Sequence, residues 1–527
     1  MTTPEEPTVR PAEAAPAIDV LGAPEPASRT GGRKGLAAVV AAAVLVAGAG
    51  AAYAGYAVYL KPHGASPEEA VPGDALAFAK VDLDPAPSQK LAVYELAKKF
   101  PQTNTKVKSS DSIKDDLLRS AFESGGSKVK YDADIKPWVG KRIALAALPD
   151  AAGATPHPLI AILVTDHAKA EAGLRRVIPL ANADAKKPSD KMYYAFSRTE
   201  GYVLISDSQA AVDGAATTSR HLSQETAYTS AVKALGGDQI LTAWADAARV
   251  FAAIPKGPMR NALKDNPFFS FSDVHPTGQV VLGLHAEHNA IELRGTTVNV
   301  SSGLKGFDQT ALSAGQGTNL VQGFPADSVA ALSMTGLGQT VANLYTANEA
   351  ALKKADAFGV FDLINHAGIS LPGDLKAVLG TELAGYFAGT KNAPRAALRV
   401  KTTNPARARA ALFAIASAGA SANAQGPVPD AAFTQFYAPA EGGYVVGIPP
   451  STFLVESTTG KLGANAEFRA AVPDARGASF VLYVDINRAA GLAGDGAPDE
   501  LKNLQSFGMT ASSHGHNGSF RMRLTFN

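Results

Sequence analysis

Two stretches decide how this chain is read: Val71-Pro72-Gly73-Asp74-Ala75-Leu76-Ala77-Phe78 and Phe324-Pro325-Ala326-Asp327-Ser328-Val329-Ala330-Ala331. Each runs apolar, Pro, small, Asp and then into an apolar strand-forming segment, so the second reads as a reprise of the first. Further matches follow in the same order. Trp138-Val139-Gly140 answers to Val378-Leu379-Gly380, Gly201-Tyr202-Val203-Leu204 to Gly443-Tyr444-Val445-Val446, and Leu222 through Tyr228 to Leu462 through Phe468. Leu241 through Asp246 parallels Leu482 through Asp485, and His288-Asn289 parallels His516-Asn517. Each match is weak alone, but chance matches would not stay collinear at nearly constant spacing. The expected organisation is a first repeat over residues 66–300, a Gly-, Ser- and Gln-rich linker over 301–319, and a second repeat over 320–527.

Within each half, strand patterns alternate with Ala-rich helical ones. Residues 75–81 read as a strand and 89–100 as a helix closed by Pro101; 142–148 and 159–164 read as paired strands, and 169–178 as a helix. Hairpins are expected over 192–205 and over 279–299 around His288-Asn289. Adjacent hairpins imply antiparallel pairing. The expected class is therefore α+β, two similar domains, each an antiparallel or mixed sheet with helices layered on it.

Ahead of the repeats, residues 36–60 form one uncharged run. At about 1.5 Å per residue a helix of that length crosses a hydrocarbon core about 30 Å thick. Arg29, Arg33 and Lys34 precede it, only Lys61 follows closely, and Tyr53, Tyr56 and Tyr59 cluster at its far end. The positive-inside bias then makes residues 1–35 a disordered cytoplasmic tail, residues 36–60 a single-pass transmembrane helix in the lipid bilayer, and the rest extracytoplasmic. Two other readings compete: a cleaved signal peptide with its site at Ala52-Tyr53-Ala54, against which stand the long tail and the length of the run, and a buried Ala-rich core helix, against which stand the Gly31-Gly32 and Pro62-His63-Gly64 breaks and the lack of amphipathic polar positions.

The chain has 527 residues, with 49 Lys+Arg against 48 Asp+Glu, so no strong field exists to recruit nucleic acid. It has no cysteine, which excludes disulfides, thiolate metal sites and cysteine nucleophiles. Polar residues recur where strand gives way to helix: Asp82 and Asp84, Thr165-Asp166, Ser206-Asp207, Asp246, Thr402-Thr403 and Asp485. Each is suited to accept from free N–H groups of a first helical turn. Capping is favoured over metal binding or acid/base chemistry for Asp82 and Asp84, because the second copy has Ser333-Met334-Thr335 there. His285-Ala286-Glu287-His288 and His514-Gly515-His516 have metal-like spacings but sit on hairpins rather than a helix. Ser302-Gly303-Leu304-Lys305 has the Ser-x-x-Lys spacing of acyl-transferring serine enzymes, but Lys401-Thr402-Thr403 and Ser421-Ala422-Asn423 fall in the wrong order to complete that set. Gly336-Leu337-Gly338 lacks the third glycine of a dinucleotide fingerprint. No catalytic, cofactor-binding or metal-ligating residue is assigned, and no cofactor is expected.

The run Pro67-Glu68-Glu69-Ala70-Val71-Pro72-Gly73-Asp74-Ala75-Leu76-Ala77-Phe78-Ala79-Lys80-Val81-Asp82-Leu83-Asp84-Pro85, with Gln89-Lys90 and Lys99-Phe100-Pro101, carries a resemblance. Behind its Ala/Gly-rich anchor the chain resembles an uncharacterised family of bacterial single-pass membrane proteins common in high-GC Gram-positives (domain-of-unknown-function family 3352). The resemblance implies a single-pass topology and an exported duplicated domain, and supplies no catalytic residues. The function expected is a non-enzymatic binding or structural component of the cell envelope, acting on an unknown envelope protein or ligand. The alternatives are a carrier or sensor of an apolar ligand such as a lipid, and an unfamiliar hydrolase.

Overall fold

The computed structural model describes residues 65–83, 85–99, 129–150, 155–183, 185–187, 190–198, 201–253, 275–301, 320–354, 360–422, 428–448, 459–493 and 499–527, with a few single residues between 115 and 123 and Gly306. Sixteen strands form one sheet, with every neighbouring pair antiparallel. The first eight are β1 (Ala77–Asp82), β2 (Val139–Leu148), β3 (His157–Val164), β4 (Tyr193–Phe196), β5 (Tyr202–Ser206), β6 (Leu241–Asp246), β7 (Thr277–Glu287) and β8 (Ala290–Ser301). They stand in the order β4-β5-β3-β2-β1-β6-β7-β8. The second eight are β9 (Ser328–Thr335), β10 (Glu382–Thr390), β11 (Ala393–Lys401), β12 (Tyr437–Ala440), β13 (Gly443–Ile448), β14 (Phe480–Asp485), β15 (Leu504–His514) and β16 (Asn517–Phe526). They repeat the order strand for strand, as β12-β13-β11-β10-β9-β14-β15-β16.

The halves join where β8 pairs with β16, Arg294 lying opposite Arg521. This overturns the expected α+β arrangement of two similar domains, each with a sheet of its own. The reason is the open edge each half leaves: β8 and β16 are long, and their backbone N–H and C=O groups are satisfied by pairing with each other. The expected N-terminal transmembrane helix, and with it the single-pass, extracytoplasmic membrane placement, is also corrected. Residues 36–60 lie outside the described residues, as does the expected tail, and among the described residues no helix is long and apolar enough to cross a membrane. The longest described helices, Leu337–Lys354 and Pro405–Ala422, carry Glu349, Lys353 and Lys354 and Arg407 and Arg409 respectively.

Both faces of the sheet are covered. In the first half the helices Gln209–Thr217 and Thr226–Leu235 close one face over Phe78, Leu204 and Trp244, and the helix His167–Asn182 closes the other over Trp138, Ile162 and Val203. In the second half the helix Ala466–Ala471 packs on Tyr386, Val445 and Tyr483, and the helices Gly373–Leu379 and Pro405–Ala422 pack around Val400 and Tyr444. The repeat extends to ring geometry. Tyr228 meets Trp244 edge-on with centroids 5.7 Å apart, and the matching pair Phe468 and Tyr483 does so at 5.2 Å.

The strand registers also correct two sequence matches by one residue. Tyr202 belongs to the core beside Leu204, whereas Tyr444 belongs to the opposite face, beside Val400. A slip of one residue on a strand exchanges the faces, so Tyr444 is the counterpart of Val203. The hairpin tips behave likewise: Glu287 pairs with Ala290 and His514 with Asn517, which sets His288 against Gly515 rather than His516.

Two polar arrangements fix the halves. Arg142 donates to the Ala65 carbonyl at 3.2 Å, tying down the segment that leads into β1. Its counterpart Glu382 does the same job with opposite polarity, accepting from Leu320 N–H at 2.8 Å ahead of β9. At the seam, the fully buried Glu292 carboxylate faces Arg294, Arg521 at 3.3 Å and Arg523 at 3.0 Å. Arg521 also reaches Asp474 at 2.8 Å and Arg523 reaches Glu287 at 2.5 Å. Removing one member of such a buried cluster would leave the others uncompensated.

Candidate functional site

A cleft lies at the end of the first half where β1 and β3 begin and β2 and β6 end. The turn Pro72-Gly73-Asp74 enters β1 there and is held by Gly73 N–H donating to Arg220 O at 3.0 Å and Leu222 N–H donating to Val71 O at 2.9 Å. The helix Ala247–Ala253 starts beside it, with Asp246 accepting from Arg249 N–H at 2.9 Å. The helix Gln209–Thr217 starts from a Ser208 cap, whose hydroxyl accepts from Ala211 N–H at 3.3 Å. These elements leave a cleft of about 460 Å³ lined by Asp74, Leu148, Ala211, Gly214, Arg220 and Arg249 among others. A neighbouring hollow of about 350 Å³ shares Asp74, Pro149 and Arg249 and adds Leu76 and Asp150.

The charges around the cleft are unequally engaged. Arg220 forms a two-pronged pair with Glu225, at 2.5 and 3.0 Å. The Glu225 hydrogen bond is the main cause that raises the pKa of Arg220 above its ordinary value, and the Asp74 charge adds to it. Gly73 leaves the room this requires, since a Cβ there would lie 2.5 Å from Glu225 Oε1. Arg249 has Asp246 at 3.8 Å. Asp74 is exposed and has no hydrogen-bond or ion-pair partner among the described residues. Nearby, His157 Nδ1 meets Asp207 Oδ1 at 2.7 Å, and its Nε2 lies 4.0 Å from Asp150. The far ring nitrogen thus faces a second carboxylate, which is not how a base activates a hydroxyl nucleophile.

The second half shows the same groups differently resolved. Asp327, the counterpart of Asp74, is paired with Arg395. Arg395 occupies the place of His157: His157 stands opposite Leu148 and Arg395 opposite Ala388, at matching positions of the paired strands. Arg488, the counterpart of Arg249, donates to the Ala326 carbonyl at 3.0 Å. Gly460 replaces Arg220 and packs so closely that a Cβ would sit 2.1 Å from Phe324 O.

The residues singled out from the sequence fall elsewhere. Asp166, Asp246 and Asp485 are helix caps, accepting from Lys169, Arg249 and Arg488 N–H respectively. Two expected caps move by a residue or two. Ser208 rather than Ser206-Asp207 caps its helix, and Asn404 rather than Thr402-Thr403 accepts from Arg407 N–H at 3.1 Å. Asp82 pairs with Arg142 at 3.5 Å, and Asp84 lies outside the described residues. His285 is held on both ring nitrogens, by Asp238 O at 2.9 Å and the Gln89 amide at 3.2 Å. His288 meets Glu95. His516 sits in the β15–β16 turn, its carbonyl accepting from Val300 N–H at 2.9 Å. Among the described residues no three His, Asp or Glu side chains gather as metal ligands. Residues 302–305 lie outside the described residues. Gly336 takes a left-handed φ of 72°, and Gly338 serves close packing, since a Cβ there would meet Gly380 O at 2.5 Å.

Sequence reading passed over Asp74, Arg220 and Arg249. The available signal was the Asp shared by Pro72-Gly73-Asp74 and Pro325-Ala326-Asp327, which becomes informative once Arg395 is matched with His157. No curated protein and no solved structure matches the chain. The family model described as "Protein of unknown function (DUF3352)" matches residues 37–418, which takes in the whole first half, the cleft and the second half as far as the helix Pro405–Ala422, and the chain belongs to that family.

Proposed function

We propose that this chain is a non-enzymatic binding protein that engages its partner through the first-half cleft. The observation that carries the reading is the difference between the halves: Asp327 is paired with Arg395, while Asp74 stands at an open cleft with no hydrogen-bond or ion-pair partner among the described residues, its charge reaching Arg220 only at longer range. The cleft sets apolar Leu148, Ala211 and Ala215 beside charged Asp74, Arg220 and Arg249, a mixture that a recognition site can use. The hydrolase reading is disfavoured by the His157 environment, in which both ring nitrogens face carboxylates. The apolar-carrier reading is disfavoured by cores filled with Phe78, Tyr228 and Trp244 in one half and Tyr386, Phe468 and Tyr483 in the other.

A displayed random-peptide library panned in parallel on the full chain and on a Gly214→Leu variant tests the reading. Gly214 lines the cleft, and a Cβ there meets nothing within 4 Å, so the new side chain enters empty space. Peptides enriched on the original chain and lost on the variant support the reading. No enrichment, equal enrichment on both, or turnover of a hydrolase substrate that one substitution abolishes would overturn it.

A further inference from the structure

Resting on that reading, we infer that the cleft receives an arginine side chain of a partner polypeptide, with Asp74 as its counter-ion. The second half holds the occupied form within its own chain: Arg395 reaches from β11 to Asp327. In the first half that role falls vacant because His157 stands where Arg395 would, and its ring is engaged by Asp207 at 2.7 Å. The fold has thus kept the carboxylate in both copies and the internal guanidinium in one.

The surroundings favour a cation over an anion. Arg220 is neutralised by both oxygens of Glu225, and Arg249 stands beside Asp246, so neither offers an uncompensated positive charge. Asp74 then leaves the lining negative. Leu76, Leu148 and Pro149 supply apolar surface for the methylene stem, which a long basic side chain lays down while its head finds the carboxylate. A guanidinium fits a carboxylate through two parallel hydrogen bonds, which an ammonium cannot reproduce.

The test is fluorescence anisotropy with the full chain and three labelled, end-blocked peptides: Gly-Gly-Arg-Gly-Gly, the same peptide with citrulline, and the same with Glu. Citrulline keeps the shape and removes the charge. The Arg peptide should bind about tenfold tighter than the citrulline peptide, the usual scale for a hydrogen bond to a charged group. That advantage should vanish in Asp74→Asn, whose exposed position leaves folding untouched. It should also shrink in His157→Arg, which rebuilds the internal pair of the second half. Equal binding of the Arg and citrulline peptides, no binding of either, preference for the Glu peptide, or an advantage that survives Asp74→Asn overturns the inference. If panning yields cleft-dependent peptides free of basic residues, the arginine assignment falls while the binding role of the cleft stands.

Discussion

Replacing Glu292 by Gln should weaken the whole sheet at its centre. The carboxylate is fully buried and faces Arg294, Arg521 at 3.3 Å and Arg523 at 3.0 Å, so the substitution removes one negative charge from among three positive ones while nearly keeping its shape. At an effective dielectric near 20, unit charges about 4 Å apart attract by about 4 kcal/mol, so the gross loss exceeds that several-fold. Most of it is offset by the desolvation that Glu292 no longer suffers, and breaking such a buried pair costs about 3–5 kcal/mol net. Glu287 and the half-exposed Asp474 remain to screen the arginines, which places the expectation at the lower end, about 3 kcal/mol. The assay is urea unfolding of the full chain followed by circular dichroism and by tryptophan fluorescence. Both tryptophans, Trp138 and Trp244, lie in the first half, so fluorescence reports that half alone. The midpoint should fall by both probes, because β8 and β16 lose their register together. A loss under about 1 kcal/mol would show that the seam is held by backbone pairing and that the buried charge is dispensable.

Three further outcomes are expected. Asp246→Ala and Asp485→Ala each remove a helix cap at matching positions of the two halves and should each cost about 1 kcal/mol in denaturant unfolding, with near-additive effects in the double variant. Gly295→Ala should destabilise by about 1–3 kcal/mol, since the new methyl would lie 2.0 Å from Phe520 Cε1 across the seam; an unchanged thermal midpoint would mean that the ring swings aside freely. Burial raises the phenol pKa of Tyr202, Tyr228, Tyr444 and Tyr483 above the ordinary 10.0. The folded state therefore holds these protons more tightly than the unfolded one. The resulting stability is complete below pH 10.0 and declines as pH rises past it. Tyrosinate absorbance should appear together with unfolding; its appearance in a still-folded protein would contradict the burial argument.

What could be read from the sequence was what is local or periodic. Asp166, Asp246 and Asp485 were legible as caps because a cap is a matter of three residues. The Leu222–Tyr228 and Leu462–Phe468 match was legible because both aromatic residues fill the same slot against Trp244 and Tyr483. The Tyr202–Tyr444 match failed because loop lengths set strand register, and similar letters one position apart carry no information about which face they take. The continuous sheet was hidden because the β8–β16 pairing joins segments more than two hundred residues apart, with the seam charges split between Glu292 and Arg294 on one strand and Arg521 and Arg523 on the other. The cleft was hidden for a related reason: Asp74, Arg220 and Arg249 approach one another only through the Pro72–His221 bridge and the helix after β6.

The seam also sets a schedule for biosynthesis. A ribosome delivers β8 well before its partner, since β9 to β15 must all be made before β16 emerges. During that interval the nascent first half holds out a twelve-residue strand, Ala290–Ser301, with no neighbour on its outer side. Until its own β16 is made, such a strand can capture the β16 of another copy, giving an exchanged pair of chains. Slow translation or crowded synthesis should therefore favour exchanged dimers of this protein, and a chaperone that shields that one strand would restore single chains.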